Sequence, residues 1–262
     1  MYAILGATGK TGGALVDLLV QSPNTHLNVY ARSKAKLLTQ RPDLENTQNV
    51  KVFEGSLSDI PLLASTLVPE VDAAFCVLGS NENIPGIRIA QDTANSVIAA
   101  LCYIREKDTN YKPPKLIFLS SGSLNPIMSA KLPASGKWII DRGMSHVYAD
   151  LGFAEDNLRL HDSWLDVTFV QPSALTEDVQ KGHKLSLDKM AEDSPFVSYL
   201  DLAAGMIEIA KSGSYAGKGV SVVATGKHTK FEPNAPPQIL RGLVWHFAPW
   251  LYAPCKYLSI VS

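Results

Sequence analysis

The first thirteen residues constrain the fold of this chain more than any other stretch. They read MYAILGATGKTGG. Tyr2 to Leu5 are apolar enough for a short buried strand, three glycines follow at three-residue spacing, and the apolar residues from Ala14 to Val20 recur at helical spacing. A strand, a glycine-rich turn and a helix in this order predict the first unit of a dinucleotide-binding fold.

Each glycine of the turn meets a separate physical need. Gly6 lets the chain leave the strand sharply, Gly9 removes a side chain where a pyrophosphate approaches the backbone, and Gly12 lets the helix pack close to the strand. The start of the helix offers free N–H groups and a positive dipole end to phosphates. We therefore predict cofactor contacts along the whole turn, from Gly6, Thr8, Gly9, Lys10, Thr11 and Gly12.

The turn has two other interpretations. Gly9-Lys10-Thr11 resembles the end of a mononucleotide P-loop, but that motif requires a glycine at position 4, where Ile4 stands, and only two residues separate Gly6 from Gly9. The spacing therefore excludes a P-loop. A tight turn with no ligand stays open, although the strand before it and the helix after it disfavour that interpretation.

The residue after the second predicted strand indicates which dinucleotide is bound. An NAD site carries an acidic residue about 20 positions beyond the glycines, whereas Arg32 and Ser33 stand there in this chain, followed by Lys34 and Lys36. A guanidinium pairs with a 2′-phosphate and stacks on adenine. We therefore predict NADP(H) as the cofactor, with Arg32 and Ser33 in contact with it; the alternative is a basic helix start in solvent.

Segments with the composition of strands and helices alternate along the rest of the chain. The predicted strands are Tyr2–Leu5, Leu27–Ala31, Val50–Glu54, Val71–Leu78, Lys115–Leu119, Leu165–Val170 and Gly219–Ala224. The predicted helices include Ile60–Leu67, Ile87–Glu106 and Asp201–Lys211, with a helical pattern over Pro133–Asp162 that breaks near Gly143 and Gly152. This order predicts an α/β fold with a doubly wound, mostly parallel sheet of the Rossmann type.

The ends of the predicted strands locate further site residues. Ligands of open parallel sheets bind at the carboxyl ends of the strands, and we predict that Leu78, Gly79, Gln171 and Pro172 border the cofactor there. The length of 262 residues fits one NAD(P)-binding domain. Residues 174–198 are loop-rich and polar, and together with 226–262 they are expected to form a small C-terminal substrate lobe or lid.

Composition excludes several classes of function. A net charge of −1 provides no attraction to nucleic acid. The three cysteines have no paired spacing, and the first predicted strand begins at residue 2, so we expect a reducing, cytoplasmic setting and no signal peptide. The six histidines show no metal-ligand spacing, and no G-x-S-x-G elbow is present. We predict neither a metal site nor a serine hydrolase.

The chemistry of a nicotinamide enzyme needs a proton donor, which is often a Tyr whose pKa is lowered by a Lys one helical turn later. Tyr-x-x-x-Lys occurs three times, beginning at Tyr103, Tyr111 and Tyr252, but the first precedes the fifth strand and prolines interrupt the other two. Tyr148 follows the serine turn that ends the fifth strand, with Gly152 in place of the lysine. We predict Ser121 and Tyr148 as catalytic residues; capping and packing roles stay open.

The C-terminal segment from Ile239 to Leu258 is rich in Trp, Phe, Tyr and Leu, and it is interrupted by Pro249 and Pro254. It has three interpretations: the lining of an aromatic substrate pocket, a partner interface such as a homodimer contact, or a surface that lies on a membrane. The prolines and the short apolar runs exclude a membrane span.

Several longer motifs resemble one family. The chain is similar to atypical short-chain dehydrogenases/reductases of the NmrA-like group, and more closely to averufin oxidase A-like oxidoreductases of fungal aromatic polyketide pathways. The likeness covers nearly the whole chain and includes GATGKTG at 6–12, ARSK at 31–34, FEGSL at 53–57, AQDTA at 90–94, YADL at 148–151, FVQP at 169–172, VQKGHKLSLD at 179–188 and YLDLA at 199–203.

The resemblance implies an NADP(H)-binding enzyme that acts on anthraquinone- or xanthone-type intermediates, with the C-terminal segment as a cover for a flat aromatic substrate. Three hypotheses follow. The first is a reductase in which Ser121 and Tyr148 orient a carbonyl. The second is a redox-silent sensor of the NADP(H) ratio that docks a partner protein. The third is a dehydratase, isomerase or cyclase in which Tyr148, Glu155 or His146 acts as acid or base.

Overall fold

A sheet of eight strands forms the centre of the protein in the computed structural model, which describes residues 1–22, 24–192, 194–226 and 230–258. The strands in these ranges are β1 (Tyr2–Leu5), β2 (Leu27–Ala31), β3 (Val50–Glu54), β4 (Ala73–Cys76), β5 (Lys115–Leu119), β6 (Val167–Val170), β7 (Ala174–Thr176), β8 (His183–Ser186), β9 (Phe196–Ser198) and β10 (Gly219–Ala224). Strands β7 and β9 pair with each other outside the main sheet.

The strand order of the main sheet is β3-β2-β1-β4-β5-β6-β10-β8. All of its neighbouring strands are parallel except β10 and β8, which are antiparallel. The run 3-2-1-4-5-6 is the strand order of dinucleotide-binding folds, and the chain reverses direction across the sheet between β1 and β4. The predicted doubly wound, mostly parallel sheet is confirmed.

Helices cover both faces of this sheet. They are α1 (Lys10–Val20), α2 (Lys34–Gln40), α3 (Ile60–Thr66), α4 (Ile89–Lys107), α5 (Pro126–Ser129), α6 (Ala134–Gly143), α7 (Ser145–Arg159), α8 (Tyr199–Lys211), α9 (Ala235–Phe247) and α10 (Tyr252–Tyr257). One core contains Leu15 of α1 and Met206 of α8, and the other contains Val97 of α4 and Leu158 of α7. Strands buried on both faces explain the continuous apolar runs in the sequence.

A buried carboxylate joins α4 to α7, the helix that carries Tyr148. Asp150 of α7 is 4% exposed, and its oxygens accept hydrogen bonds from the backbone N–H groups of Ala90 and Gln91 at 2.8 and 3.0 Å. These are two of the N–H groups at the start of α4 that lack an intrahelical partner. The contact holds α7 against α4 and thereby positions the face of α7 that carries Tyr148.

Residues 174–198 are largely loop, as expected, but they also contain β7, β8 and β9, and β8 extends the main sheet because Leu185 and its neighbours pair with β10. The expected helix break near Gly152 is wrong. The helical pattern does break after Gly143, but α7 continues without interruption through Gly152. A Cβ at Gly152 would meet no atom within 4 Å, so no close approach forces the chain to leave the helix there.

The C-terminal segment forms helices that pack on the rest of the protein. Helix α9 crosses α6 closely at Gly242, where a Cβ would lie 1.9 Å from the carbonyl oxygen of Gly143. Pro249 begins a 3-10 turn that ends at Leu251, and Pro254 lies in the first turn of α10, where its missing N–H costs no helical hydrogen bond. Residues 227–229 and 259–262 of the expected lid segment lie outside the described residues.

Candidate functional site

The glycine turn after β1 has the shape that a dinucleotide requires. Gly6 adopts φ of +106°, and its ideal Cβ would lie 3.0 Å from the backbone of Val77 and Leu78 at the end of β4. The backbone N–H of Gly9 donates to the carbonyl oxygen of Gly6 over 3.0 Å, which closes the turn. Both constraints favour glycine at position 6.

Helix α1 starts directly on this turn. A Cβ at Gly12 would lie 2.2 Å from the carbonyl oxygen of Gly6, so only glycine allows α1 to come this close to β1. Gly9 caps the helix without a side-chain hydrogen bond and is exposed. The first N–H groups of α1 are therefore open to an anion. This cradle fits the pyrophosphate of a dinucleotide, which the residues from Gly6 to Gly12 would hold.

Lys10 links the turn to the segment that contains β7. Its ammonium lies 2.5 Å from a carboxylate oxygen of Glu177, and both side chains are more than half exposed. The ammonium also lies 5.5 Å from the centre of the Tyr199 ring at the start of α8. The pair with Glu177 raises the pKa of Lys10 and lowers that of Glu177. Lys10 therefore stays cationic beside the predicted phosphate site.

Arg32 is exposed at the end of β2, and among the residues that the structure describes no partner occupies its guanidinium. Ser33 caps α2, because its hydroxyl oxygen accepts a hydrogen bond from the backbone N–H of Lys36 at 3.1 Å. Glu54, at the end of the neighbouring β3, accepts the backbone N–H of Lys34 at 3.1 Å. The guanidinium is free for an anion at the adenosine end of the predicted cofactor site.

The predicted residues Leu78 and Gly79 follow β4. Leu78 is half-buried, its backbone nitrogen abuts Gly6, and a Cβ at Gly79 would meet nothing within 4 Å. The structure thus brings Leu78 next to the glycine turn and leaves open space at Gly79.

The catalytic candidates meet at the carboxyl end of β5. The Tyr148 hydroxyl donates to the Ser123 hydroxyl over 3.1 Å, and Ser121 accepts the backbone N–H of Ser123 at 3.4 Å. The structure therefore joins Tyr148 to the serine turn, and the catalytic roles of Ser121 and Tyr148 stay predictions. Ser123, which the sequence analysis did not select, is the direct partner of the phenol.

The surroundings of Tyr148 keep its hydroxyl protonated. Burial raises the pKa of Tyr148, and its hydrogen bonds with Ser123 and Ser121 offset that rise in part. Two charged groups of α6 also act on it: Asp141 raises the pKa, and Lys137 lowers it. Lys137 and Asp141 form an ion pair of 2.8 Å. No lysine follows Tyr148 on α7, and the cation that lowers its pKa, Lys137, lies on α6.

The side chain of Gln171, at the end of β6, is held in a buried network. Its amide nitrogen donates to Glu155 at 2.8 Å, and its amide oxygen accepts from Asn125 at 2.9 Å. Glu155 also pairs with Arg159 at 3.4 Å and is 8% exposed, so it is neither a surface charge nor a free acid on the Tyr148 face. Contact of Gln171 and Pro172 with the cofactor stays a prediction.

A second buried amide joins the loop after β4 to α7 and α9. The side-chain oxygen of Asn83 accepts from the backbone N–H of His146 at 2.7 Å, and its nitrogen donates to the carbonyl oxygen of Gly242 at 3.0 Å. His146 lies 3.2 Å from the carbonyl oxygen of Trp245. These contacts of Asn83 could not be predicted from local sequence, because the residues that form them are far apart in the chain.

A small cleft, with free space of about 20 Å³, lies beside the contacts of Asn83. It is lined by the loop after β4 and by residues of α9 and α10, and the lining includes Asn81, Glu82, Asn83, Ile84, Gln238, Arg241, Trp245 and Tyr252. The lining combines aromatic rings with polar groups, the kinds of group that hold aromatic ligands, but the free space is far smaller than a polycyclic ligand.

Within 1–22, 24–192, 194–226 and 230–258, no cluster of three or more His, Cys, Asp or Glu side chains is arranged to hold a metal ion. In those same ranges no helix is long and apolar enough to cross a membrane.

Comparison with known families agrees with the geometry of the glycine turn. A family model described as NAD(P)H-binding matches residues 6–212. Among solved structures, a short-chain dehydrogenase/reductase from Veillonella parvula in complex with NADP superposes with a TM-score of 0.65 at 20% identity, covering 88% of this chain and 98% of that one. At this identity the likeness concerns the fold, which it confirms as Rossmann-type.

Curated relatives are considerably closer in sequence. The chain is 42% identical over 252 residues to oxidoreductase ordB of Dothistroma septosporum, covering 96% of this chain and 93% of that one. It is 40% identical over 257 residues to oxidoreductase stcQ of Emericella nidulans, covering 96% and 92%. The expected nicotinamide cofactor and enzyme class are confirmed at the level of the family. The chain belongs to the NAD(P)H-binding oxidoreductases of Rossmann fold, and within them to the group of the fungal oxidoreductases ordB and stcQ.

Proposed function

We propose that this protein is an NADPH-dependent reductase of a polycyclic aromatic ketone or quinone, an aromatic polyketide intermediate of the anthraquinone or xanthone type. The observation that carries the proposal is the contact of the Tyr148 hydroxyl with the serine turn of β5 at 3.1 Å. This places a phenol donor at the same sheet edge as the glycine cradle of α1. In open parallel sheets that edge is where ligands bind.

Each part of the site has a separate task in this proposal. The turn from Gly6 to Gly12 holds the pyrophosphate, and Arg32 pairs with the 2′-phosphate of the adenosine. When bound, the nicotinamide supplies the hydride. On substrate binding the Tyr148 hydroxyl would turn its single hydrogen from Ser123 to the substrate oxygen, and the Ser123 hydroxyl would in turn donate to the Tyr148 oxygen. Ser121 supports the turn by accepting the backbone N–H of Ser123.

The raised pKa of Tyr148 bears on the source of the proton that the substrate oxygen receives. Burial disfavours the phenolate, so Tyr148 is present as the neutral phenol, and its role in this proposal is to stabilise negative charge on the substrate oxygen by hydrogen bonding. The proton then comes from solvent or from a phenol of the substrate itself. Hydrogen-bond donors aimed at a developing oxyanion are a large source of rate acceleration.

Two features support an aromatic substrate. Trp245 and Tyr252 line the cleft between the loop after β4 and the C-terminal helices. The sequence also resembles oxidoreductases of fungal aromatic polyketide pathways, and the relatives at about 40% identity are fungal oxidoreductases.

We further propose a cytoplasmic location, because Cys76, Cys102 and Cys255 are all free thiols.

Transfer of deuterium tests the reaction. The protein is incubated with polycyclic aromatic ketones and quinones together with NADPH carrying deuterium at C4, in separate experiments for the two faces of the ring. Mass spectrometry of the product is expected to show one deuterium from one of the two cofactors. Turnover that leaves the product unlabelled with both cofactors would remove hydride transfer from the proposal.

A redox-silent enzyme is the second candidate, because Gly152 stands where a lysine would lower the pKa of Tyr148. Of the three acid–base candidates, Glu155 is engaged with Gln171, and the His146 ring lies against the carbonyl of Trp245, which leaves Tyr148. Dehydration, isomerisation or ring closure by protein stripped of nucleotide would favour this candidate. An absolute need for stoichiometric NADPH would exclude it.

The third candidate, a sensor that binds NADP(H) and docks a partner protein, predicts nucleotide binding without turnover of any small molecule. A purified protein that converts a polycyclic substrate would speak against it. Pull-down of partner proteins from a fungal lysate, with and without NADP, tests whether binding of a partner depends on the nucleotide.

A further inference from the structure

Helix α9 has apolar side chains on its outer face as well as on its inner face. Leu240, Val244 and Phe247 recur at i, i+4 and i+7, and they are 65, 47 and 56% exposed. Gly242 and Trp245, on the other face, are buried. A surface helix normally carries polar residues on its outer side, so the outer stripe of α9 requires an explanation beyond folding.

The stripe belongs to a larger surface, which we call the tail surface. It combines the outer face of α9, the segment that follows it and part of α6, and its exposed residues are Trp138, Ile139, Leu240, Val244, Phe247, Trp250, Leu251, Tyr257 and Leu258. The rings of Trp138 and Phe247 lie 6.2 Å apart, which joins α6 to α9. Trp245 and Tyr252, at 5.3 Å, hold α10 against α9.

The charges of the tail surface are mainly positive. From position 233 to the last residue the sequence contains no Asp or Glu, but it contains Arg241 and Lys256. On α6 the guanidinium of Arg142 lies 4.2 Å from the centre of the Trp138 ring, and Asp141 is neutralised by Lys137. The whole protein has a net charge of −1, so this positive charge is a local property.

We propose that the tail surface binds the headgroup region of a membrane that contains anionic lipids. Indole and phenol rings such as those of Trp250 and Tyr257 are favoured at the interface between lipid and water. An apolar stripe flanked by Arg or Lys lies in the plane of that interface. Each cation near an anionic surface adds to the attraction. The proposal is independent of the reaction that the enzyme catalyses.

A second copy of the chain is a poorer occupant of the tail surface. In a two-fold dimer each patch faces the same patch of its partner. The positive charge of the patch would then face the same positive charge, because the segment from position 233 on contains no Asp or Glu. An anionic bilayer instead provides the opposite charge and an apolar layer together.

Vesicle flotation with the full-length protein tests the proposal. The vesicles contain phosphatidylcholine alone or phosphatidylcholine with phosphatidylserine. We expect the protein to float with the anionic vesicles and less with the neutral ones, and we expect salt to weaken the binding. Arg241→Gln with Lys256→Gln should weaken binding by about 25-fold, from about fivefold per cation. Phe247→Ser with Trp250→Ser should weaken it by at least about tenfold.

The matched control is Leu160→Ser, since Leu160 is 80% exposed at the end of α7 and lies outside the tail surface. It should float like the wild type. Thermal unfolding and NADPH affinity confirm that each variant is folded, and they keep this test separate from the proposed reaction. Quenching of tryptophan fluorescence by brominated lipid should fall when Trp250 is changed to Phe.

Three outcomes would overturn the proposal. The first is no flotation of the wild type, and the second is equal binding to neutral and anionic vesicles. The third is a dimer, measured by sedimentation, that dissociates in the Phe247→Ser, Trp250→Ser variant while no form binds vesicles; that result would assign the tail surface to a second copy.

Discussion

The Tyr148 hydroxyl donates its hydrogen bond to Ser123 rather than standing free above the sheet. Ser121 accepts from the backbone of the same serine and also lowers the pKa of the phenol. The two hydroxyls of the turn thus act on one donor, and the direction of the Tyr148 hydroxyl is set by Ser123. Substitution of Tyr148 therefore removes the donor itself, whereas substitution of Ser123 would change only the direction of its hydroxyl.

Tyr148→Phe should lower kcat for the polycyclic substrate by about 100- to 1,000-fold, because it removes the donor that stabilises charge on the substrate oxygen. NADPH affinity should stay unchanged, since the phenol lies on α7 and not on the glycine turn. Steady-state kinetics and fluorescence titration of NADPH measure the two effects.

The control is Tyr103→Phe. The Tyr103 hydroxyl accepts a hydrogen bond from Lys107, four residues later, at 2.5 Å, and the pair lies near the end of α4, away from the serine turn. Its kinetics should match those of the wild type. A Tyr148→Phe protein with full kcat would show that Tyr148 only packs against the turn.

The raised pKa of Tyr148 predicts a pH profile. Burial moves the pKa above its ordinary value of 10.0, so the protonated donor persists at least up to that pH and is lost only as the pH rises further. The ratio of wild-type to Tyr148→Phe kcat should therefore be constant from about pH 6 to about pH 9. A ratio that falls in the neutral range would mean that the pKa is lowered in the working complex.

The parts of the fold that depend on local sequence could be predicted from it. The observed bounds of β1, β2, β3, β5 and β10 agree with the predicted segments. The mostly buried strands β1, β2, β5 and β10 are largely apolar runs, and the edge strand β3 alternates apolar and charged residues. The glycine turn could be identified as well, since Gly6, Gly9 and Gly12 act through backbone geometry within seven residues.

The parts of the structure that depend on contacts between distant residues could not be predicted from the sequence. Asp150 reads as a surface charge on a helix, yet it caps α4 sixty positions earlier in the chain. Asn83 and Gln171 are ordinary amides in the sequence and become buried junctions only when three elements meet. Gly152 resembles a helix end, but the packing of α7 against α4 overrides its low propensity. No period or motif signals such contacts.

Arg32→Ala tests the cofactor preference. A charge-assisted contact to phosphate contributes about 1.5–3 kcal/mol, so NADPH affinity should fall by about 10- to 150-fold while NADH affinity stays nearly the same. Arg32→Asp should weaken NADPH further by repulsion. Titration calorimetry with both nucleotides measures the change.

Lys36→Ala is the matched control for Arg32, because Lys36 is an exposed cation close by on α2. It should bind NADPH like the wild type. Equal affinity of the wild-type protein for NADPH and NADH would remove Arg32 from the cofactor site. Failure to bind either nucleotide would contradict the role assigned to the glycine turn.

Two glycine-to-alanine changes should shift stability in opposite directions. In Gly12→Ala the new methyl would lie 2.2 Å from the carbonyl oxygen of Gly6 and 2.8 Å from the Cα of Ala7. Both contacts are backbone atoms, so α1 must move away from β1, at a cost of about 1–3 kcal/mol or more. The same movement should weaken NADPH binding, because it displaces the N–H groups of the cradle.

Gly152→Ala provides the contrast within the same protein. Its methyl would meet nothing within 4 Å in the interior of α7, so removing the flexibility of glycine should raise the free energy of unfolding by about 0.5–1 kcal/mol. Urea unfolding of both variants and the wild type measures the two shifts. If Gly12→Ala unfolds like the wild type and binds NADPH as tightly, then the close contact of α1 with β1 is not what makes the site. If Gly152→Ala is destabilised, α7 is not continuous through that residue, and the position of Tyr148 on it would have to be revised.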